Sequence, residues 1–89
     1  MKLVKFTVEA FEDRESLHSF LKEALALPDY YGNNLDALAD SLYEVQEEVQ
    51  IVLKRGDLKQ ISDNVYFYNV LKVLQNAQNE GLNIKIVYR

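Results

Sequence analysis

Three short segments rich in β-branched and aliphatic residues constrain the fold of this chain more than any other feature. They occupy residues 2–8, 49–53 and 82–88, and segments with helical periodicity separate them. The middle segment, VQIVL, is almost uninterrupted in its apolar character, which is typical of a strand buried on both faces. Helical crossovers between strands of one sheet imply parallel pairing and right-handed connections. The sequence therefore predicts an α/β fold, with a three-stranded parallel sheet and flanking helices.

The helical segments carry recognisable start and stop signals. Asp13 is a candidate N-cap for a first helix, which must end by Leu27 because Pro28 follows. A short helical turn is predicted over residues 58–61. A last helix begins after Asp63 or Asn64 and ends at Gly81, the residue type that most readily adopts the left-handed conformation.

A second helix, starting after Asn33 or Asn34 and fraying near Gln46, has two unlike faces. Its apolar side anchors it to the core and comprises Leu35, Leu38, Leu42 and Val45. Its opposite side is polar and comprises Asn33, Asp36, Asp40, Tyr43, Glu44 and Glu47. The stretch 23–53 holds seven acidic residues and no Lys, Arg or His, within a chain of formal net charge −4. The negative charge of this stretch disfavours binding to a nucleic-acid backbone and favours a basic protein partner. The alternative is that the acidic face is solvated and binds nothing.

Composition limits the remaining possibilities. The 89 residues suffice for a single domain, residues 1–89, with one modest core. Cysteine is absent, which excludes disulfides and thiolate chemistry. The opening MKLVKFTVEAF lacks the features of a signal peptide, and no apolar run approaches the length of a membrane span. We therefore expect a cytoplasmic protein with no membrane association, and a monomer when no partner is bound.

Little in the sequence points to catalysis. The single histidine, His18, lies beside the apolar stripe of the first helix. We expect a partly exposed side chain with a structural role there, in preference to a general base. Asp36 and Asp40 are one helical turn apart and could act as an acid/base pair or bind a hard cation. However, no nucleophile motif, phosphate-binding loop or metal-ligand spacing accompanies them. We predict that the protein is not an enzyme and needs no metal or cofactor.

Aromatic residues are the other candidates for binding. Tyr30 and Tyr31 precede Gly32 in the loop before the acidic helix. Either one ring packs inward while the other faces a partner, or both cover the end of the sheet. Tyr66 and Tyr68, in the last helix, are interpreted as core and core-edge residues.

The segment LALPDYYGNNLDALADSL resembles the signature of the barstar family, intracellular inhibitors of the secreted ribonuclease barnase. The matching positions are Leu27, Pro28, Tyr30, Tyr31, Gly32, Asn34, Leu35, Asp36, Ala37, Leu38 and Asp40. The resemblance extends over nearly the whole chain, through Leu17 and His18 to Ala77, Glu80, Gly81 and Ile84. It implies three parallel strands flanked by helices, in agreement with the order predicted from periodicity.

The resemblance also implies a mechanism, in which the acidic helix and the loop before it plug the cationic active site of a basic ribonuclease. Asp36 and Asp40 would replace substrate phosphates, with Asp40 the central one. Tyr30 would pack on the enzyme's catalytic histidine, and Gly32 and Asn34 would line the same edge. The alternative is a protein-interaction module of the same fold whose partner is not a ribonuclease.

Two positions depart from the family pattern. Ala39 stands where the family's inhibitor has a tryptophan, and Asn76 stands where it has a glutamate. A Gly-Trp contact pair is also missing after the acidic helix, in the segment YEVQEEVQ. We hypothesise that Tyr43, Glu44 and Glu47 form a replacement rim suited to a different ribonuclease.

Overall fold

The computed structural model describes residues 2–7, 13–29, 31–32 and 34–89. The elements follow the order β1 (Lys2–Phe6), α1 (Arg14–Ala24), α2 (Leu35–Leu42), β2 (Val49–Leu53), a 3₁₀ turn (Arg55–Asp57), α3 (Leu58–Asp63), α4 (Val65–Asn79) and β3 (Ile84–Tyr88). No helix in this described part of the chain is both long enough and apolar enough to cross a membrane.

The three strands form one parallel sheet with β2 in the centre, which confirms the predicted α/β fold. In the pairing register, Val4 lies opposite Ile51, and Ile51 lies opposite Ile86. These three side chains are buried and form one row of the core. Successive right-handed crossovers in the same direction place both helical connections over a single face of a sheet.

The opposite face of the sheet is less covered than the sequence predicts. Leu3 is 57% exposed, and Lys5 and Lys85 are exposed. In the central strand, Gln50 and Val52 are only half-buried. The prediction that VQIVL is fully buried on both faces is therefore wrong, because the helices contribute their apolar surfaces to the other side of the sheet.

One hydrophobic core joins the buried face of the sheet to the helices. The largest side chains with almost no exposure include Leu17 and Leu21 from α1, Leu38 and Leu42 from α2, and Leu74 from α4. Burying a leucine side chain contributes about 2 kcal/mol relative to leaving it exposed. The apolar positions predicted from helical spacing thus hold α1, α2 and α4 on the sheet.

Several predicted boundaries need correction. β1 ends at Phe6, and Val8 lies outside the described residues. β3 begins at Ile84, two residues after the predicted start at Leu82. The helix α2 ends at Leu42, well before Gln46.

The early end of α2 has an electrostatic cause. Carboxylates are unfavourable near the C-terminus of a helix, where the backbone carbonyls are unpaired, and Glu44, Glu47 and Glu48 crowd this end. The chain tightens instead, since the amides of Glu44 and Val45 donate to carbonyls only three residues earlier. The side chain of Asn83 then donates to the carbonyl oxygens of Val45 and Gln46, at 2.8 Å and 3.1 Å.

Candidate protein-binding site

The loop before α2 begins with a tight turn at the end of α1. The amide of Leu27 donates to the carbonyl of Lys22 over 2.9 Å, and the amide of Ala26 donates to that of Glu23 over 3.3 Å. Ala26 adopts the left-handed conformation, with φ of 52°. This pair of hydrogen bonds defines a Schellman motif, which ends α1 and changes the direction of the chain.

Tyr31 anchors this loop in the core. Its side chain is 7% exposed, and its hydroxyl is hydrogen-bonded to Nδ1 of His18. The other ring nitrogen of His18, Nε2, is hydrogen-bonded to the hydroxyl of Tyr66. Burial raises the pKa of the Tyr31 phenol, with a smaller contribution from nearby Tyr66. The Tyr31 ring therefore packs inward, while Tyr30 lies outside the described residues.

His18 is more buried than its sequence context predicts. Its side chain is 0% exposed, whereas partial exposure was expected. Burial lowers the pKa of the imidazole and so favours the neutral form. Both ring nitrogens have tyrosine partners, which favours a structural role over general-base catalysis. Tyr66, interpreted as a core residue, is only half-buried and packs at the core edge, and Tyr68, interpreted as a core-edge residue, is 44% exposed.

Asn34 and Gly32 fix the start of α2. The Asn34 side chain accepts a hydrogen bond from the Ala37 amide at 2.8 Å and donates one to the Gly32 carbonyl at 3.2 Å. Of the two candidate caps, Asn34 is thus the N-cap of α2, and Asn33 lies outside the described residues. A Cβ at Gly32 would lie only 3.3 Å from Asn34 Nδ2 and 3.4 Å from Ala37 Cβ, so glycine permits the close approach of the loop.

The outer surface of α2 presents carboxylates. Asp36 and Asp40 are exposed, and Glu44 is exposed just beyond the end of the helix. We call these three residues the acidic surface. Within the described residues, no Lys, Arg or His forms an ion pair with either aspartate, whereas Lys22 pairs with the exposed Asp29 elsewhere on the surface. The acidic surface can therefore engage cations of another molecule without first breaking internal pairs.

Tyr43 and Glu80 join α2 to the end of α4. The Tyr43 hydroxyl donates to a carboxylate oxygen of Glu80 over 2.6 Å. Beneath this pair lies a pocket of 160 Å³ between the two helices. We call it the inter-helix pocket; its lining residues are Ala39, Leu42, Tyr43, Val73, Asn76, Ala77, Glu80 and Leu82.

The structure brings together some predicted site residues and separates others. Ala39 on α2, Tyr43 just beyond the end of α2 and Asn76 on α4 line the same inter-helix pocket. Glu47 does not share the helical arc predicted for it, because α2 ends at Leu42, and it borders a different hollow beside Val49. The proposed rim of Tyr43, Glu44 and Glu47 is therefore not one continuous helical face.

Glu80 is a site candidate that sequence reasoning missed. It lies 37 residues from Tyr43, and no local pattern links the two positions. The available signals were its match to the family pattern and its place at the C-terminus of α4, on the turn beyond Asn76. Among the residues that the structure describes, no group of three or more histidines and carboxylates could hold a metal ion.

Comparison with known proteins gives the relationship of the chain. The model of the family described as Barstar (barnase inhibitor) matches residues 1–89. A relative from Bacillus subtilis (strain 168), named "Putative ribonuclease inhibitor YrdF", is 45% identical over 71 residues, which cover 79% of this chain and 78% of the relative. The match over the whole chain agrees with the parallel sheet and with the loop that leads into the acidic helix. The chain belongs to the barstar family.

Proposed function

We propose that this protein is an inhibitor of a basic ribonuclease and not an enzyme. The family and the name of the Bacillus relative support a ribonuclease-inhibitor role. The observation that carries the finer proposal is the exposure of Asp36 and Asp40 on one helix, with no internal cation paired to either within the described chain. In this proposal α2 and the loop before it block the active site of the enzyme.

The carboxylates act as substitutes for substrate phosphates. A ribonuclease binds its substrate through Arg, Lys and His side chains, and these can pair with Asp36 and with Asp40 at the centre of the contact. Tyr30, Gly32 and Asn34 contribute the adjacent edge. The Tyr31 anchor and the Asn34 cap hold Tyr31, Gly32 and the start of α2 in place. Rigid presentation matters because ordering a loop during binding reduces affinity.

The site acts on a protein partner and requires no cofactor. In the cytoplasm, such an inhibitor neutralises the ribonuclease before the enzyme is exported. The acidic surface repels nucleic acid and attracts a basic protein, so we expect the inhibitor to be monomeric until it meets the enzyme. Association should slow as salt is added, since opposite fields accelerate encounter mainly at low ionic strength.

The direct test is inhibition of a purified barnase-type ribonuclease by the wild-type protein, Asp40→Ala and Asp63→Ala. Asp63 is a matched control, because it is an exposed aspartate at the end of α3, away from α2. Removing one partner of a buried charge pair costs about 2 to 5 kcal/mol, so Asp40→Ala should weaken inhibition by at least roughly 30-fold. Asp63→Ala should inhibit like the wild type. Equal inhibition by all three proteins would disprove the role of Asp40.

A second candidate function is supported by the inter-helix pocket. Ala39 and Asn76 replace larger or charged side chains of the family pattern, and both line this pocket. A protein-interaction module with a non-ribonuclease partner would use the same surface. Absence of inhibition toward a panel of basic ribonucleases, together with stable binding of a different basic protein that depends on Asp40, would favour this second function.

A further inference from the structure

The inter-helix pocket combines an apolar floor with a polar rim. Leu42 and Ala77 are almost fully buried at its base, and Ala39, Val73 and Leu82 are half-buried along its sides. Tyr43, Asn76 and Glu80 are exposed at the mouth. A tryptophan at position 39 would occupy this space, whereas the small side chain of Ala39 leaves it open.

The mouth of the pocket is negatively charged. Glu80 receives a hydrogen bond from Tyr43, and this bond is the main cause of the raised pKa of the Tyr43 phenol. The negative charges of Glu80 and, to a smaller degree, Asp40 raise that pKa further. None of the eight lining residues is Lys, Arg or His. A cation entering the pocket would therefore meet the Glu80 carboxylate and no competing positive charge among the lining residues.

These properties match the side chain of arginine. Its three methylene groups can cover apolar surface while its guanidinium remains at the rim. The planar guanidinium carries five N–H donors and can bridge a carboxylate and a neighbouring phenol or amide oxygen. A neutral apolar side chain would instead desolvate Glu80 without compensating hydrogen bonds. Lysine would offer a compact charge with a larger hydration cost and no planar array of donors.

We propose that the inter-helix pocket receives an arginine side chain of the partner protein, with the stem on Ala39 and Val73 and the guanidinium at Glu80. This inference rests on the proposed function, because the arginine would belong to the enzyme that the acidic surface inhibits. It adds a specificity determinant beyond Asp36 and Asp40. A partner without an arginine at the corresponding position would lose this contact while keeping the contacts to the two aspartates.

The test uses the full chain and small probes, so that it does not depend on any ribonuclease. Methyl NMR spectra are recorded while N-acetyl-arginine amide or N-acetyl-citrulline amide is added. Citrulline has nearly the same shape as arginine and no charge. Arginine amide should shift the methyl signals of Ala39, Val73 and Ala77 in a saturable way, with a dissociation constant on the order of 10 mM. Citrulline amide should leave those signals unchanged.

Three variants give the controls. Glu80→Gln should weaken the arginine-dependent shifts at least about threefold, because it removes the charge but retains the shape. Ala39→Trp should abolish them by filling the pocket, and Asp63→Asn should leave them unchanged because it removes a charge elsewhere. If Ala39→Trp does not fold, Glu80→Gln still decides the question.

Each contrary outcome overturns the inference. Shifts of equal size with citrulline, arginine binding by Glu80→Gln as tight as by the wild type, or no saturable shift at the three methyl groups would each exclude an arginine site. Failure of ribonuclease inhibition would leave these spectra interpretable, since no enzyme is present. Conversely, Asp40-dependent inhibition without arginine-dependent shifts would support the proposed function and disprove only the binding of arginine in the inter-helix pocket.

Discussion

The hydroxyl of Tyr31 is hydrogen-bonded to Nδ1 of His18, across 13 residues of sequence. A neutral imidazole has one N–H donor and one acceptor nitrogen. Because Tyr66 occupies the other nitrogen, one tyrosine donates to the ring and the other accepts from it. Through this contact the core of the domain holds the loop that leads into α2.

Removing the Tyr31 hydroxyl should therefore destabilise the protein. Tyr31→Phe retains the ring but leaves a nitrogen of buried His18 without a partner, which costs about 1 to 3 kcal/mol. Urea unfolding monitored by circular dichroism measures the change. Tyr68→Phe is the matched control, because Tyr68 is 44% exposed. Its free energy of unfolding should be close to that of the wild type. Equal effects of the two substitutions would contradict the anchoring role.

The stability of the protein should fall as pH drops below about 6.5. Burial lowers the pKa of His18 in the folded state, so the unfolded chain takes up a proton first. The free energy of unfolding is then constant above the unfolded pKa and decreases below it, by up to about 1.4 kcal/mol per pH unit, until the folded pKa is reached. Urea unfolding at a series of pH values between about 7.5 and 5, a range around the ordinary histidine pKa, measures how the free energy of unfolding changes with pH.

The groups around His18 allow this pH effect to be assigned. Its ring contacts are the hydroxyls of Tyr31 and Tyr66, and the Arg14 guanidinium lies 4.3 Å from the centre of the Tyr66 ring. The hydrogen bond from the Ser16 amide is the main reason why the pKa of the N-cap Asp13 lies below its ordinary value of 3.8. Protonation of Asp13 therefore affects stability only at a pH below the range of the His18 effect. His18→Gln should flatten the slope between pH 6.5 and 5, and an unchanged slope would assign it to other groups.

Ala26→Gly should stabilise the protein. Ala26 holds φ at 52°, a conformation that costs an alanine about 1 kcal/mol and glycine very little. After the larger unfolded-state entropy of glycine is subtracted, a net gain of about 0.5 kcal/mol remains. Thermal unfolding should show a higher midpoint for Ala26→Gly and a lower one for Ala24→Gly, since Ala24 lies within α1. Destabilisation by both would mean that the left-handed turn is not strained.

Asn83→Ala should loosen the segment after α2. The Asn83 side chain donates to two carbonyls there, those of Val45 and Gln46. Its loss should cost about 1 to 2 kcal/mol and speed amide hydrogen exchange in residues 45–48. Asn79→Ala, an exposed substitution at the end of α4, is the control and should leave both measurements nearly unchanged.

Local signals were sufficient for most of the fold. Asp13, Asn34 and Asn64 cap the three longer helices, and Gly81 ends α4 with φ of 84°, as sequence patterns predict. Each of these positions depends on hydrogen bonds within a few residues of the chain. The parallel pairing also follows, because a helical crossover leaves neighbouring strands with the same direction.

Features that depend on distant contacts were not predictable. The burial of His18 depends on Tyr66, which is 48 residues away, and helical spacing alone placed the imidazole at the edge of the apolar stripe. The path of the chain after α2 depends on Asn83, whose side chain donates to the carbonyls of Val45 and Gln46 from a distant part of the sequence. In the candidate site, Asp36 and Asp40 were predicted from their shared helical face and from the family resemblance, whereas Glu80 required the packing of α4 against α2.

The hydrogen bond between Tyr43 and Glu80 joins residues 37 positions apart, so the two walls of the inter-helix pocket leave the ribosome at different times. At about 5 to 20 residues per second, α2 and its aspartates are synthesised roughly 2 to 7 seconds before the far wall. During that interval a nascent chain already carries the acidic residues of α2 but lacks the second wall of the proposed arginine pocket. Any selectivity that the proposed pocket confers therefore begins only when α4 has been translated and packed.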